Sequence, residues 1–134
     1  MKSFVPDPKM FTLSGVFYPT GYVFAMFPTV EDARDGERRL VHAGCEEQTL
    51  SLLTPADIHE KIAAGVVVEG GLPSPGTEAA TARHYEELAL KGHYALLIPA
   101  SKQEDAEKVM QALRGARISF AQRYRHLVIE DLVA

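Results

Sequence analysis

Two stretches of the chain match in outline, Gly21-Tyr-Val-Phe-Ala-Met-Phe-Pro28 and Gly92-His-Tyr-Ala-Leu-Leu-Ile-Pro99. A helical segment follows each stretch and ends at a glycine, Gly44 in the first copy and Gly115 in the second. The starting glycine, the proline and the closing glycine of the second copy each lie 71 residues after their counterparts in the first. Each copy has the order strand, helix, turn and strand, so the pattern predicts two βαβ halves.

Each predicted helix that follows a strand has the same signal at its start, a threonine or serine followed three residues later by an acidic residue. The hydroxyl of such a pair can accept from an early amide of the helix. The three pairs are Thr29 with Asp32, Thr54 with Asp57, and Ser101 with Glu104. The first helix also carries Gly36 in its middle. A glycine there costs about 1 kcal/mol relative to alanine, so we expect close packing of this helix against a sheet.

The pattern divides the chain into five segments of one predicted domain. These are an N-terminal arm (1–20), a first βαβ unit (21–54), a helical excursion (55–91), a second βαβ unit (92–125) and a tail (126–134). Within the excursion, residues 66–76 form the predicted loop, and a helix is predicted from Thr77 to about Lys91. The other predicted strands are 48–53 and 118–124, and the tail contains an apolar run that could extend the sheet or reach a neighbouring molecule.

Two βαβ units with amphipathic helices predict an α+β fold, namely a ferredoxin-like two-layer sandwich with an extra helical excursion between the halves. The strands that begin the two units are apolar on both faces, so both faces of the sheet should be covered. The two repeat helices can cover one face. The excursion or a second copy of the chain must cover the other, and we therefore predict a homodimer or a higher homo-oligomer.

The composition favours an ordinary globular protein of the cytoplasm. The chain has 134 residues, 46% of them hydrophobic and 24% charged, with a formal net charge of −4. Mild acidity argues against general attraction to nucleic acid or to an anionic membrane. The sequence contains no apolar run of the roughly 18 residues that a spanning helix needs, so we expect no membrane partner. The single cysteine cannot form an internal disulfide.

Several runs resemble the general stress protein (heat-induced stress protein) domain family. The first runs are Phe24-Ala-Met-Phe-Pro-Thr-Val-Glu-Asp-Ala33 and Leu40-Val-His-Ala-Gly-Cys45. The others are His84-Tyr-Glu-Glu-Leu-Ala-Leu-Lys-Gly-His-Tyr-Ala-Leu-Leu-Ile98 and Val109-Met-Gln-Ala-Leu-Arg-Gly-Ala116. Together they cover most of residues 21–120. The resemblance implies a small bacterial protein of undetermined biochemical role and supplies no catalytic residues. The glycine- and alanine-rich segment that this family often has between its halves is reduced here to residues 63–71, which is too short to span a membrane.

Three residues are candidates for catalysis. His84 and Tyr85 lie on the helix before the second repeat, and His93 begins the strand of that repeat. A histidine tuned near neutrality could act as a general acid or base, and the tyrosine could orient a substrate. No acidic orienter is evident from the sequence, although Glu86 and Glu87 are adjacent. The alternative, which we favour, is that these are hydrogen-bonded packing residues.

Two further groups of residues suggest binding sites. His42 and Cys45 could supply two metal ligands, but a structural zinc site needs four and no second cluster exists, so we expect no metal and no cofactor. Four arginines and no acid lie between Val109 and Ile129, with two aromatic residues among them: Arg114, Arg117, Arg123, Arg125, Phe120 and Tyr124. This could be an RNA-facing strand. The arginine-glycine-aromatic signature of such sheets is absent, so we do not expect nucleic acid as a partner.

The sequence favours a non-enzymatic, cytoplasmic, oligomeric module that is stress-associated by resemblance and acts through protein contacts or a small ligand. The alternative is a small-molecule enzyme that uses His84 or His93 as its acid or base. An enzyme needs a concave and partly polar pocket. The arrangement of residues 55–91, which either cover a cavity or pack tightly on the sheet, therefore distinguishes the two hypotheses.

Overall fold

The computed structural model describes residues 1–12, 15–62, 77–125 and 128–133. Its strands are β1 (Lys2–Ser3), β2 (Tyr22–Phe27), β3 (Ser51–Leu53), β4 (Tyr94–Pro99), β5 (Phe120–Arg125) and β6 (Val128–Val133). Its helices are α1 (Val30–His42), α2 (Pro55–Asp57), α3 (Thr77–Leu90) and α4 (Gln103–Ala112), and α2 continues as a π-helical turn, Ile58–Ile62. The predicted loop 66–76 and the apolar segment 63–71 lie outside the described residues.

The strands form a mixed sheet in the order β1-β3-β4-β2-β5-β6. β4 pairs antiparallel with both β2 and β3, and β2 also pairs antiparallel with β5. The two strands of the first βαβ unit, β2 and β3, are therefore parallel with β4 between them. The two strands of the second unit, β4 and β5, are likewise parallel with β2 between them. Each unit thus places its helix across a strand of the other, and the predicted α+β class is confirmed.

The glycines that define the repeat have the same backbone conformation in both copies. Gly21 and Gly92, which precede β2 and β4, have φ of 86° and 91°. Gly44 and Gly115, which follow the repeat helices, have φ of 108° and 89°. These angles lie in the left-handed region that residues with a Cβ rarely adopt. The repeated glycines therefore perform the same backbone turns in each half.

Two of the three predicted helix caps are present and the third is displaced. The Asp32 amide donates to Thr29 Oγ1 at 3.1 Å, and Thr54 and Asp57 form a reciprocal capping box. The prediction that Ser101 and Glu104 begin the last helix is wrong, because α4 is capped one residue later by the Lys102 amide donating to the Asp105 carboxylate. The backbone amide of Ala100 still bonds to Gly21 in the sheet, which delays the start of the helix.

The repeat helices cover one face of the sheet. α1 and α4 pack on apolar side chains that point to that face from β2, β4 and β5. Gly36 is buried in α1, and a Cβ on it would lie only 2.9 Å from the Phe27 ring in β2. The close packing predicted from this mid-helix glycine is therefore confirmed.

The opposite face is covered by the same chain. Side chains of the arm, of the α2 turn and of α3 form a second core with that face: Phe4, Phe17, Ile58, Ile62, Ala82, Tyr85 and Ala89. The excursion is one of the two covers that we expected for this face, and it adds a third layer to the expected two-layer sandwich. The covered face also removes the original reason to expect a second copy, while the homo-oligomer itself stays a prediction.

The ends of the sheet differ from the predicted strands. The strand expected at 48–53 is shorter, since Glu47–Thr49 form a 3₁₀ turn before β3. The strand expected at 118–124 begins at Phe120, and it lies inside the sheet because β6 pairs with its outer side. β6 arises from the predicted tail, and the arm contributes β1, which pairs parallel with β3. Arm and tail therefore both extend the sheet formed by the repeats.

Candidate functional site

Tyr85 is a core residue in the centre of the third layer. Its side chain is 0% exposed, and its ring stacks on Phe24 of β2 with a centroid separation of 4.1 Å. The phenol donates to Gln122 Oε1 at 2.8 Å and lies 2.9 Å from the Tyr124 hydroxyl. Burial raises the pKa of Tyr85 well above its ordinary value, and the neighbouring Tyr124 and the Asp131 carboxylate raise it further. The structure therefore places this candidate as a neutral, hydrogen-bonded packing residue.

The hydrogen bonds of Tyr85 continue to the surface through side chains that the sequence analysis did not select. Gln122 Nε2 donates to Asp131 Oδ1 at 2.6 Å, across the β5–β6 pair. Gln122 and Tyr124 are two residues apart on β5 and so face the same side of the sheet. The sequence carried no clear signal for this arrangement, because Arg123 and Arg125 lie beside Gln122 on β5 and the strand does not have an apolar pattern. We name Tyr85, Tyr124, Gln122 and Asp131 the tyrosine network.

His84 lies beside this network without joining it. Its ring makes an edge contact with Phe120 at a centroid distance of 4.5 Å. The nearest charged partner is Glu87, whose Oε2 is 3.6 Å from His84 Nδ1. That distance is too long for a good hydrogen bond. His84 therefore has an aromatic contact and a weak ion pair, and the adjacent Glu86 bonds elsewhere.

His93 lies at the same end of the sheet and has a different partner. Its Nδ1 is 2.8 Å from Ser119 Oγ, just before β5. Partial burial lowers the pKa of His93, and the positive charge of Lys91 lowers it further. His84 and His93 thus contact consecutive residues, Phe120 and Ser119. The structure brings these two histidines to one end of the sheet but gives each its own contact, while Tyr85 lies in the core.

A histidine outside the sequence prediction links α2 to α3. His59 Nδ1 bonds Glu86 Oε1 between the π-helical turn and the middle of α3. His59 is mostly exposed and Glu86 is partly buried. Their separation of 27 residues gave no sequence signal, since only the folded excursion brings them together. This contact fixes α2 against α3.

The other sequence candidates for ligand binding are dispersed. His42 is exposed at the end of α1, and burial raises the pKa of the half-buried Cys45 thiol, which disfavours the thiolate that a metal needs. Within residues 1–12, 15–62, 77–125 and 128–133, no group of three or more histidine, cysteine or acidic residues is placed to hold a metal ion.

Three arginines near the end of the chain contact other side chains of the same chain. Arg123 is buried, and its Nη1 donates to Gln103 Oε1 at 2.9 Å and lies 3.8 Å from Glu130 Oε1. Arg125 also pairs with Glu130, and Arg117 lies 3.9 Å from Asp32. The aromatic residues between them are turned inward: Tyr124 is 1% exposed, and Phe120 packs beneath His84 and Tyr85. This face therefore lacks the exposed aromatic pair that the RNA interpretation required.

A partly enclosed cavity of 200 Å³ lies at the other end of the sheet, between the arm and the starts of β2 and β3. Its apolar wall includes Phe4, Met10 and Leu97, and the hydroxyl-bearing side chains of Tyr22 and Ser51 also line it. Lys2 and Asp7 of the arm complete it with opposite charges. We name it the arm cavity. The sequence analysis missed it because its walls come from segments far apart in the chain.

No protein-family model, no curated protein and no solved structure matches this chain. Among the residues that the structure describes, none of the helices is both long enough and apolar enough to cross a membrane.

Proposed function

We propose that the protein is a non-enzymatic, cytoplasmic binding module that acts through a small ligand or through protein contacts. One observation carries this proposal: α3 packs directly on the sheet, with Tyr85 fully buried and stacked on Phe24. Ala82 and Ala89, one turn to either side of Tyr85, are also buried. In the described part of the excursion, α3 therefore packs closely on the sheet at the position where an enzyme of this architecture would need a cleft.

We propose a ferredoxin-like arrangement for the four inner strands. Its support is the interleaving of the two βαβ units, each of which has a strand of the other between its own two strands. β1, β6 and the α2–α3 layer are additions to that arrangement. The stress-associated role is part of the proposal through the sequence resemblance alone.

A homo-oligomer also belongs to the proposal. Its support is the outer edge of β6, the last of the described strands in the sheet order. An outermost strand presents backbone N–H and C=O groups that a second copy can pair with. Light scattering at working concentrations should give a multiple of the 14.7 kDa chain mass. A mass of one chain throughout would overturn this part.

The binding proposal is tested by incubating the purified protein with a mixture of cellular metabolites. We expect at least one metabolite to be retained by the protein and then recovered unchanged after release, as measured by mass spectrometry. His84→Ala and His93→Ala should retain the same metabolite. If the unsubstituted protein converts a metabolite and either histidine variant does not, that result would contradict a non-enzymatic role.

The second candidate function is a small-molecule enzyme, and the contact between His93 and Ser119 is the observation that favours it. A histidine with a lowered pKa is neutral near pH 7 and can accept a proton. His93 Nδ1 lies within hydrogen-bond distance of the Ser119 hydroxyl, which could hold the ring in one orientation. The same metabolite experiment tests this candidate. An enzyme should convert a metabolite, His93→Ala should abolish that conversion, and the exposed control His42→Ala should retain it.

A further inference from the structure

We propose that the arm cavity binds a small zwitterion with an apolar body, of the class of free amino acids with aliphatic or aromatic side chains. This inference rests on the proposed binding function and names its site and ligand class. The cavity, at 200 Å³, is smaller than the roughly 300–1,000 Å³ of pockets for drug-sized ligands, so it suits a small metabolite.

The walls of the cavity are held in place by backbone and core contacts. The Lys2 amide donates to the Leu50 carbonyl at 3.1 Å, and the Phe4 amide donates to the Leu52 carbonyl at 3.0 Å. The Phe4 ring is buried and packs edge-on against Phe17. The arm therefore leaves a shaped gap beside the sheet, and the gap can select a ligand.

Two hydroxyl groups are available inside this gap. Ser51 is only 7% exposed, and it lies on the face of β3 that carries Leu53 into the core beneath the arm. In the part of the chain that the structure describes, neither the Ser51 hydroxyl nor the Tyr22 hydroxyl has a hydrogen-bond partner. Each of these two hydroxyls can therefore donate a hydrogen bond to, or accept one from, a polar group of an occupant.

The charges around the cavity select a zwitterion over a simple ion. Lys2 has no ion-pair partner among the described residues, and its ammonium group can receive a carboxylate. The Asp7 carboxylate, which also accepts from the Lys9 amide at 2.9 Å, can receive an ammonium group. The Asp7 carboxylate would repel a pure anion and the Lys2 ammonium would repel a pure cation, whereas a zwitterion can pair with both. The apolar wall of Phe4, Met10 and Leu97 then accommodates an apolar side chain.

The test is calorimetric titration of the full chain with L-leucine and L-phenylalanine. Their analogues without the carboxylate (3-methylbutylamine) and without the amine (4-methylpentanoate) serve as matched probes. We expect an amino acid to bind and each leucine analogue to bind about ten-fold more weakly or worse, since each loses a charged contact. Equal binding of an analogue, or no heat with any probe at millimolar concentration, would overturn the inference.

Variants locate the site. Ser51→Ala and Tyr22→Phe should each weaken binding several-fold to ten-fold, because each removes one hydroxyl from the cavity. Ser101→Ala, an exposed serine outside the lining, should leave the dissociation constant unchanged. If Ser51→Ala folds poorly, Tyr22→Phe still decides the result. Unchanged affinity in a folded cavity variant would place the ligand elsewhere.

The outcomes separate this inference from the proposed function. If no amino acid binds but the metabolite mixture yields another ligand that is recovered unchanged, the ligand class is wrong and the binding module stands. If an amino acid binds and is converted, the non-enzymatic role is wrong and the site stands.

Discussion

Removal of a single buried hydroxyl tests whether α3 is part of the core. In Tyr85→Phe the ring that stacks on Phe24 is kept, and only the phenolic oxygen is lost. That oxygen donates to Gln122 at 2.8 Å and lies 2.9 Å from the Tyr124 hydroxyl. A buried polar group that loses its partner costs about 1–3 kcal/mol. We therefore expect the free energy of unfolding to fall by about 2 kcal/mol.

The assay is urea unfolding followed by far-ultraviolet circular dichroism. For a slope of about 2 kcal/mol/M, the midpoint should fall by about 1 M with the slope unchanged. Tyr94→Phe is the matched control, because the Tyr94 hydroxyl has no hydrogen bond among the described residues, and it should stay within about 0.5 kcal/mol of the unsubstituted protein. A Tyr85→Phe variant as stable as Tyr94→Phe would refute the packing argument.

The pH dependence of the same variant gives a second measure. Because burial raises the pKa of Tyr85, the unfolded chain releases this proton at a lower pH than the folded protein does. The contribution of neutral Tyr85 to the free energy of unfolding is therefore complete below the ordinary tyrosine pKa of about 10, and it is lost as the pH rises further. The alkaline loss of stability should be smaller in Tyr85→Phe, and an equal loss would contradict the assigned environment.

Three further predictions concern other parts of the fold. Gly36→Ala gains about 1 kcal/mol of helix propensity, but its Cβ would lie 2.9 Å from the buried Phe27 ring. Urea unfolding should therefore show that the free energy of unfolding falls by about 1 kcal/mol. An increase in that free energy would contradict the close packing of α1 on β2. Thr54→Ala removes one half of the capping box and should lower the unfolding free energy by about 1 kcal/mol, whereas the exposed Thr20→Ala should not change it. The pKa of His93 is lower in the folded protein than in the unfolded chain, so the unfolded chain binds the proton more readily. The contribution of neutral His93 to the free energy of unfolding is therefore complete above about pH 6.5, and it is lost as the pH falls through the lower folded pKa. His93→Asn should reduce this acidic loss of stability, and an unchanged pH profile would contradict the assignment.

The repeat could be predicted because it depends on local backbone chemistry. Gly21 and Gly92 have the same left-handed conformation, and Thr29 and Thr54 cap their helices as their spacing indicated. Ser101 fits the same pattern and fails, because a sheet hydrogen bond from its neighbour Ala100 keeps the chain extended. Local signals thus hold until a tertiary contact competes with them.

The third layer and the arm cavity could not be predicted in the same way. The sequence placed His84 and Tyr85 next to each other on one predicted helix. Successive residues on a helix differ by about 100°, so only Tyr85 reaches the core while His84 lies at its margin. The arm cavity joins Lys2 and Asp7 to Ser51 across nearly fifty residues of chain. Such a site exists only once the arm has paired with β3.

The central claim is that the excursion closes the sheet as part of the core, and native-state hydrogen exchange tests it most directly. Amides on the buried side of α3, from Ala82 to Ala89, should exchange as slowly as those of β2 and β4, through global unfolding. Exchange of these α3 amides orders of magnitude faster than the strands, with the strands still protected, would show a helix that opens over the sheet. That result would contradict the account and would favour an enzyme with a covered cleft.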